Sequence, residues 1–175
     1  MPTRAKRRFV ILASEFNPAI TRALVRGASD VLQRHGVLQR HIRLLWVPGA
    51  FELPVVAARV VAARPRPDAV IAVGAILRGE TPQYEVLAHA VAQGLSQVAV
   101  SSAIPVTFGI VVATTRSQAN ARAGGSMGNR GAEAALAALA VLRLFDTLPA
   151  RPEPTRRSNG ASIGSWPSGG RRGRW

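Results

Sequence analysis

Three groups of residues have types and spacing that could do chemistry. The first is Arg78-Gly79-Glu80-Thr81-Pro82, a turn between an apolar run and a helical pattern. Thr81 is placed to cap that helix and Pro82 to take its first position. A helix start offers unpaired N–H groups and a partial positive charge, which together seat a phosphate. Ordinary capping accounts for the same residues, and Glu80 and Glu85 would repel an anion, so arginines from elsewhere would have to help. The second group supplies candidates: Arg122 and Arg130 flank Gly124-Gly-Ser-Met-Gly128. Forked guanidinium groups suit phosphate oxygens, although a chain this basic also carries arginines that are only solvated surface groups. The glycine stretch follows a short helix, not a strand, and matches neither a Walker motif nor a dinucleotide fingerprint. The third group is aromatic. Phe16, Phe51 and Phe108 each sit in or next to a strand-end loop, where they could sandwich a planar heterocycle or simply pack in a core. Glu52 could accept hydrogen bonds from a polyol or amine, or merely favour a helix start.

These loops need elements to hold them. Residues 9–13 form a short apolar run, read as a buried strand. Asn17-Pro18 then reads as an N-cap and first-turn proline, and Ile20, Leu24, Ala28, Val31 and Leu32 recur at helical spacing until His35-Gly36. The pattern continues with a strand at 41–47, a helix at 51–63, a strand at 68–77 and a helix at 82–97. A strand at 105–113, a short helix at 116–122, a glycine-rich loop at 124–131 and a last helix to about residue 146 complete it. Strands alternating with helices predict an α/β fold: a three-layer α/β/α sandwich, flavodoxin-like, around a four-stranded parallel sheet. Right-handed crossovers place the loops after the strands along one edge, where open α/β sheets bind ligands.

With 175 residues, 47% hydrophobic, the chain suits one domain with a sizeable core. Residues 1–148 are read as that domain. Residues 149–175, rich in Pro, Gly, Ser and Arg, read as a disordered basic tail carrying six Arg against one Glu of the chain's net +14. The absence of cysteine excludes disulfides, thiol nucleophiles and Cys-ligated metal. His35, His41 and His89 show no metal-ligand spacing, so no metal is expected; His35 reads as a helix-end dipole partner and His89 as a packing or surface residue. The longest apolar run, residues 69–77, falls well short of the ~20 residues of a membrane helix. The basic N-terminus imitates a signal peptide, but its apolar run is too short, and a cytoplasmic protein is expected.

Taken in order, several stretches resemble the lumazine synthase family of riboflavin biosynthesis: Ser14-Glu-Phe-Asn17, Val47-Pro-Gly-Ala-Phe-Glu-Leu-Pro54, Gly74-Ala-Ile-Leu-Arg-Gly-Glu-Thr-Pro82, Pro105-Val-Thr-Phe-Gly109, Gln118-Ala119, Arg122-Ala-Gly124 and Asn129-Arg-Gly-Ala-Glu-Ala134. The resemblance implies condensation of 5-amino-6-(D-ribitylamino)uracil with 3,4-dihydroxy-2-butanone 4-phosphate to 6,7-dimethyl-8-ribityllumazine, without a cofactor. It implies that Phe16 and Phe108 hold the pyrimidine and ribityl part, aided by Ala50, Phe51, Glu52, Ala75, Ile76 and Leu77. Glu80 and Thr81 would offer mostly backbone N–H groups to the butanone phosphate, and Arg122 would pair with it. Arg130 stands where the family usually has a lysine serving that end. The resemblance further implies a homo-pentamer with sites between adjacent chains; the short 124–131 loop is of the kind found in members that build larger shells, whereas eight residues ahead of Phe9 are few for the strand that members add to a neighbour's sheet.

One departure bears on mechanism. The family normally has His, as the proton-transfer residue, at the position of Gln83, and glutamine cannot titrate near neutral pH. The resemblance therefore implies a slowed enzyme. A smaller departure is Ser117, where an acidic residue often precedes the Gln-Ala pair. Two other readings compete: a non-catalytic lumazine- or flavin-binding or scaffold pentamer, and a nucleic-acid-binding protein in which Trp166 and Trp175 stack on single strands beside Arg171, Arg172 and Arg174. Retention of Phe16, Thr81 and Arg122 argues against the former, and the lack of a nucleic-acid motif against the latter.

Overall fold

The computed structural model describes residues 6–149. All but the first residue of the expected tail therefore lies outside the described residues. The chain runs β1 (Phe9–Ser14), α1 (Pro18–Arg34), β2 (Ile42–Val47), α2 (Leu53–Ala62), β3 (Ala69–Leu77), α3 (Gln83–Ser102), β4 (Val106–Ala113), α4 (Arg116–Ala121), β5 (Ala123–Gly125), β6 (Gly128–Asn129) and α5 (Arg130–Phe145). Strands β1 to β4 form a parallel sheet in the order β2-β1-β3-β4, a doubly wound topology as expected. The register pairs Ser14 with Val47 and Leu77 with Ala113, so the strands end along one edge.

Alternation along the strands divides the core in two. Phe9, Ile11 and Ala13 of β1 face α1 and α5, whereas Val10 and Leu12 face α2 and α3. Central β3 has helices on both sides and is buried throughout except at Leu77, which is why its sequence is apolar without a period. Edge strand β2 instead leaves Leu44 and Trp46 partly exposed. The alanine-rich face of α5 lets it lie close against α1; there Gly131 sits so near the Leu24 carbonyl that an added Cβ would collide with backbone. At the other end of the sheet, buried Arg7 donates to both carboxylate oxygens of Asp146, at 2.5 and 2.6 Å, tying the start of β1 to the end of α5.

Three local expectations are corrected. Asn17 precedes α1 but does not cap it: it is left-handed (φ 58°), and its side chain donates to the Ala75 carbonyl at 3.2 Å. Thr81 is not the cap of α3, which begins at Gln83 after Pro82 and continues to Ser102, five residues beyond expectation. The glycine-rich stretch is no plain loop but the small antiparallel hairpin β5–β6, with Gly124 and Gly128 at positive φ.

Candidate active site

Where β1 and β3 end, a cleft of about 400 Å³ opens toward the starts of α2 and α3. Its floor is the end of β3, Ala75-Ile-Leu77; its walls are the Phe16 loop, the turn containing Ala50, Phe51 and Glu52, and the segment from Thr81 to Leu87. The Phe16 loop is held by backbone and side chain together. Glu15 N–H donates to the Val47 carbonyl at 2.8 Å, Asn17 reaches the Ala75 carbonyl, and the Thr21 hydroxyl donates to the Phe16 carbonyl at 3.3 Å. Asn17 tolerates the left-handed conformation better than most residues and its amide supplies the tether to β3.

Exposure decides what the aromatics do. Phe16 is 72% exposed and Phe51 65%, so core packing does not explain either, and both line the cleft. Phe108 is half-buried on β4, packed against the core beneath α2 and α3 and outside the cleft lining. Gln83 occupies the first position of α3, and no side chain caps that helix. Glu85 N–H already donates to the Pro82 carbonyl at 3.1 Å, which leaves the N–H groups of the first two helical residues to meet an acceptor brought beside Thr81. Tyr84, a wall residue not singled out in the sequence, donates its hydroxyl to Glu85 at 2.7 Å. That hydrogen bond holds the phenol pKa above its ordinary value, so the group is neutral at physiological pH and acts as a hydrogen-bonding group, not a base.

The arginines are arranged elsewhere. Thr115 and Gln118 form a capping box that starts α4, with Gln118 N–H donating to the Thr115 hydroxyl at 3.2 Å. Asn129 caps α5 through Ala132 N–H and also donates to the Ala23 carbonyl at 2.9 Å. Between these anchors the hairpin brings Arg130 N–H to the Arg122 carbonyl at 2.8 Å. Both guanidinium groups then meet one carboxylate: Glu133 accepts from Arg122 at 3.5 Å and from Arg130 at 2.8 Å. Two half-exposed cations sharing one anion leave a net positive charge available at the surface.

The structure thus gathers Phe16, Ala50, Phe51, Glu52, Ala75, Ile76, Leu77, Thr81 and Gln83 around one cleft. Glu80 is exposed in the turn beside it, and Phe108, Arg122 and Arg130 do not line it within one chain. Glu133 was missed in the sequence, although its spacing three residues after Arg130 on a helix is a readable signal; Tyr84 carried no comparable signal. His35 and His89 bond the carbonyls of Val31 and Glu85 through Nδ1, at 2.8 Å each, and neither lines the cleft. Among the described residues no group of three or more His, Asp or Glu could hold a metal ion, and no helix is long and apolar enough to cross a membrane.

Comparison with known proteins gives this arrangement its context. The family model described as 6,7-dimethyl-8-ribityllumazine synthase matches residues 6–146. A protein of that name from Gemmatimonas aurantiaca is 48% identical over 150 residues, covering 85% of this chain and 91% of the relative. One from Halorhodospira halophila is 45% identical, covering 82% and 91%, and one from Leuconostoc mesenteroides is 36% identical, covering 83% and 92%. With its strand-end cleft, its arginine pair and nearly the whole described region matched, the chain belongs to the 6,7-dimethyl-8-ribityllumazine synthase family.

Proposed function

We propose that the chain condenses 5-amino-6-(D-ribitylamino)uracil with 3,4-dihydroxy-2-butanone 4-phosphate, giving 6,7-dimethyl-8-ribityllumazine, phosphate and water. The observation that carries this reading is the pair of solvent-facing phenylalanines, Phe16 and Phe51, on a strand-end floor beside the uncapped start of α3. The rings suit the face of a pyrimidine, Glu52 suits its polyol, and the α3 N–H groups suit the phosphate. The amine of one substrate attacks the ketone of the other and water leaves as the imine forms. Phosphate is then eliminated to leave an enol, the enol tautomerises to a ketone, and the ribityl-bearing nitrogen closes the ring on that new carbonyl with loss of a second water. The protein's share is orientation, up to ~7–11 kcal/mol in favourable cases, and electrostatic support for the departing phosphate. Gln83 in this reading hydrogen-bonds where a titrating group would move protons, so the reaction runs slowly. Incubating purified protein with both substrates should give fluorescent product faster than the background reaction; equal rates would overturn the assignment.

The same reading makes the assembly a cytoplasmic pentamer, with Phe108, Arg122 and Arg130 of one chain facing the cleft of the next. Support comes from the protomer, in which a cleft suited to the ring and an arginine pair suited to the phosphate stand on separate elements. Light scattering should report five chains or a multiple of five, and a monomer would oppose the reading.

A further inference from the structure

A second cavity, of about 250 Å³, lies at the opposite edge of the sheet, where the strands begin. Four arginines line it from four different places: Arg8 just ahead of β1, Arg40 in the turn before β2, Arg43 on β2, and Arg64 after α2. Leu45 and Val60 contribute an apolar wall. The ion pairs among the described residues belong to Arg7, Arg122 and Arg130, and none of the four cavity guanidinium groups has a carboxylate or hydrogen-bond partner there. Asp68, the acid bound next to this edge, accepts from the Arg8 backbone N–H at 2.6 Å and does not line the cavity. All four arginines are exposed on the rim of this cavity, remote from the active-site cleft, and like charges gathered there without counter-charge repel one another. A bound anion relieves that repulsion, and forked donors suit phosphoryl oxygens.

We propose that this cavity is a second anion site that takes a compact diphosphate, two linked phosphoryl groups being the charge and reach that four guanidinium groups around so small a volume can share. Its volume excludes a folded polymer, and the proposal stands independently of the condensation reading. The test is calorimetric titration of the full chain with inorganic pyrophosphate, in the wild type and three variants. Arg43→Glu/Arg64→Glu should weaken pyrophosphate binding by at least about tenfold, the loss expected when charge-assisted hydrogen bonds are replaced by repulsion. Arg22→Glu/Arg26→Glu, the same charge change on the exposed face of α1, should leave affinity within about twofold, as screened surface charges do. Arg122→Ala should leave it equally unmoved. Thermal melts confirm that each variant folds, and the readout needs no turnover. Equal weakening by the α1 pair would reduce the effect to net charge. Loss only in Arg122→Ala would assign the anion to the catalytic phosphate position. Either result, or no measurable binding, overturns the proposal.

Discussion

At residue scale the sharpest question is what an amide does at the position proposed for proton transfer. Gln83 lies in the cleft at the first position of α3, so the side chain is well placed and chemically limited. Gln83→His should raise kcat by about 10²–10⁴-fold, the usual worth of general acid–base help. It should also introduce an acidic limb in the pH–rate profile near ~6.5, because protonating the imidazole below its pKa removes the base. A rate and profile like those of the wild type would count against this placement. Arg122 makes a second test. Its removal leaves Arg130 as Glu133's ion-pair partner in this cluster and cancels the spare positive charge, so Arg122→Ala should raise KM for the butanone phosphate by about tenfold or more. KM for the ribitylaminouracil should stay within about twofold, since uniform binding of one substrate is what such a contact supplies. Steady-state kinetics with each substrate varied in turn separates the two.

At element scale the cleft depends on how closely helices and strands approach. Gly131, in the first turn of α5, lies against the Leu24 carbonyl, and an alanine there must displace backbone, not a flexible side chain. Gly131→Ala should cost about 1–3 kcal/mol, as overpacking does, and should show as a lower urea midpoint with the slope unchanged. Much at this scale was legible. The apolar runs of β1 and β3 and the helical spacing of α1 located those elements within a residue or so, because burial of a repeating face leaves a repeating sequence. The start of α3 was not legible. Thr81-Pro82 reads as cap and first helical residue, yet Pro82 itself takes the cap position, and the helix starts where the following backbone first turns. Asn17 misled for a similar reason: a side chain that can cap can also bond a distant carbonyl, and only the proximity of β3 makes Ala75 the better acceptor.

For the whole molecule, closure of the layers matters as much as their order. The Arg7–Asp146 pair joins chain segments 139 residues apart, with the arginine buried. Asp146→Ala leaves the buried cation without its carboxylate, but Asp146 is itself 44% exposed, so the cost should be about 1–2 kcal/mol, between exposed and buried pairs; thermal unfolding measures it. The amino-acid sequence by itself determined the doubly wound layering, the edge at which the loops gather and the family's residues, since hydrophobic period and local order are properties of a single stretch of chain. Only the tertiary structure decided that Phe16 and Phe51 face solvent while Phe108 packs, that one glutamate holds both arginines, and that four arginines with no ion pair among the described residues line a far cavity. Each of these depends on which surfaces remain uncovered once distant segments meet, and no local pattern encodes that.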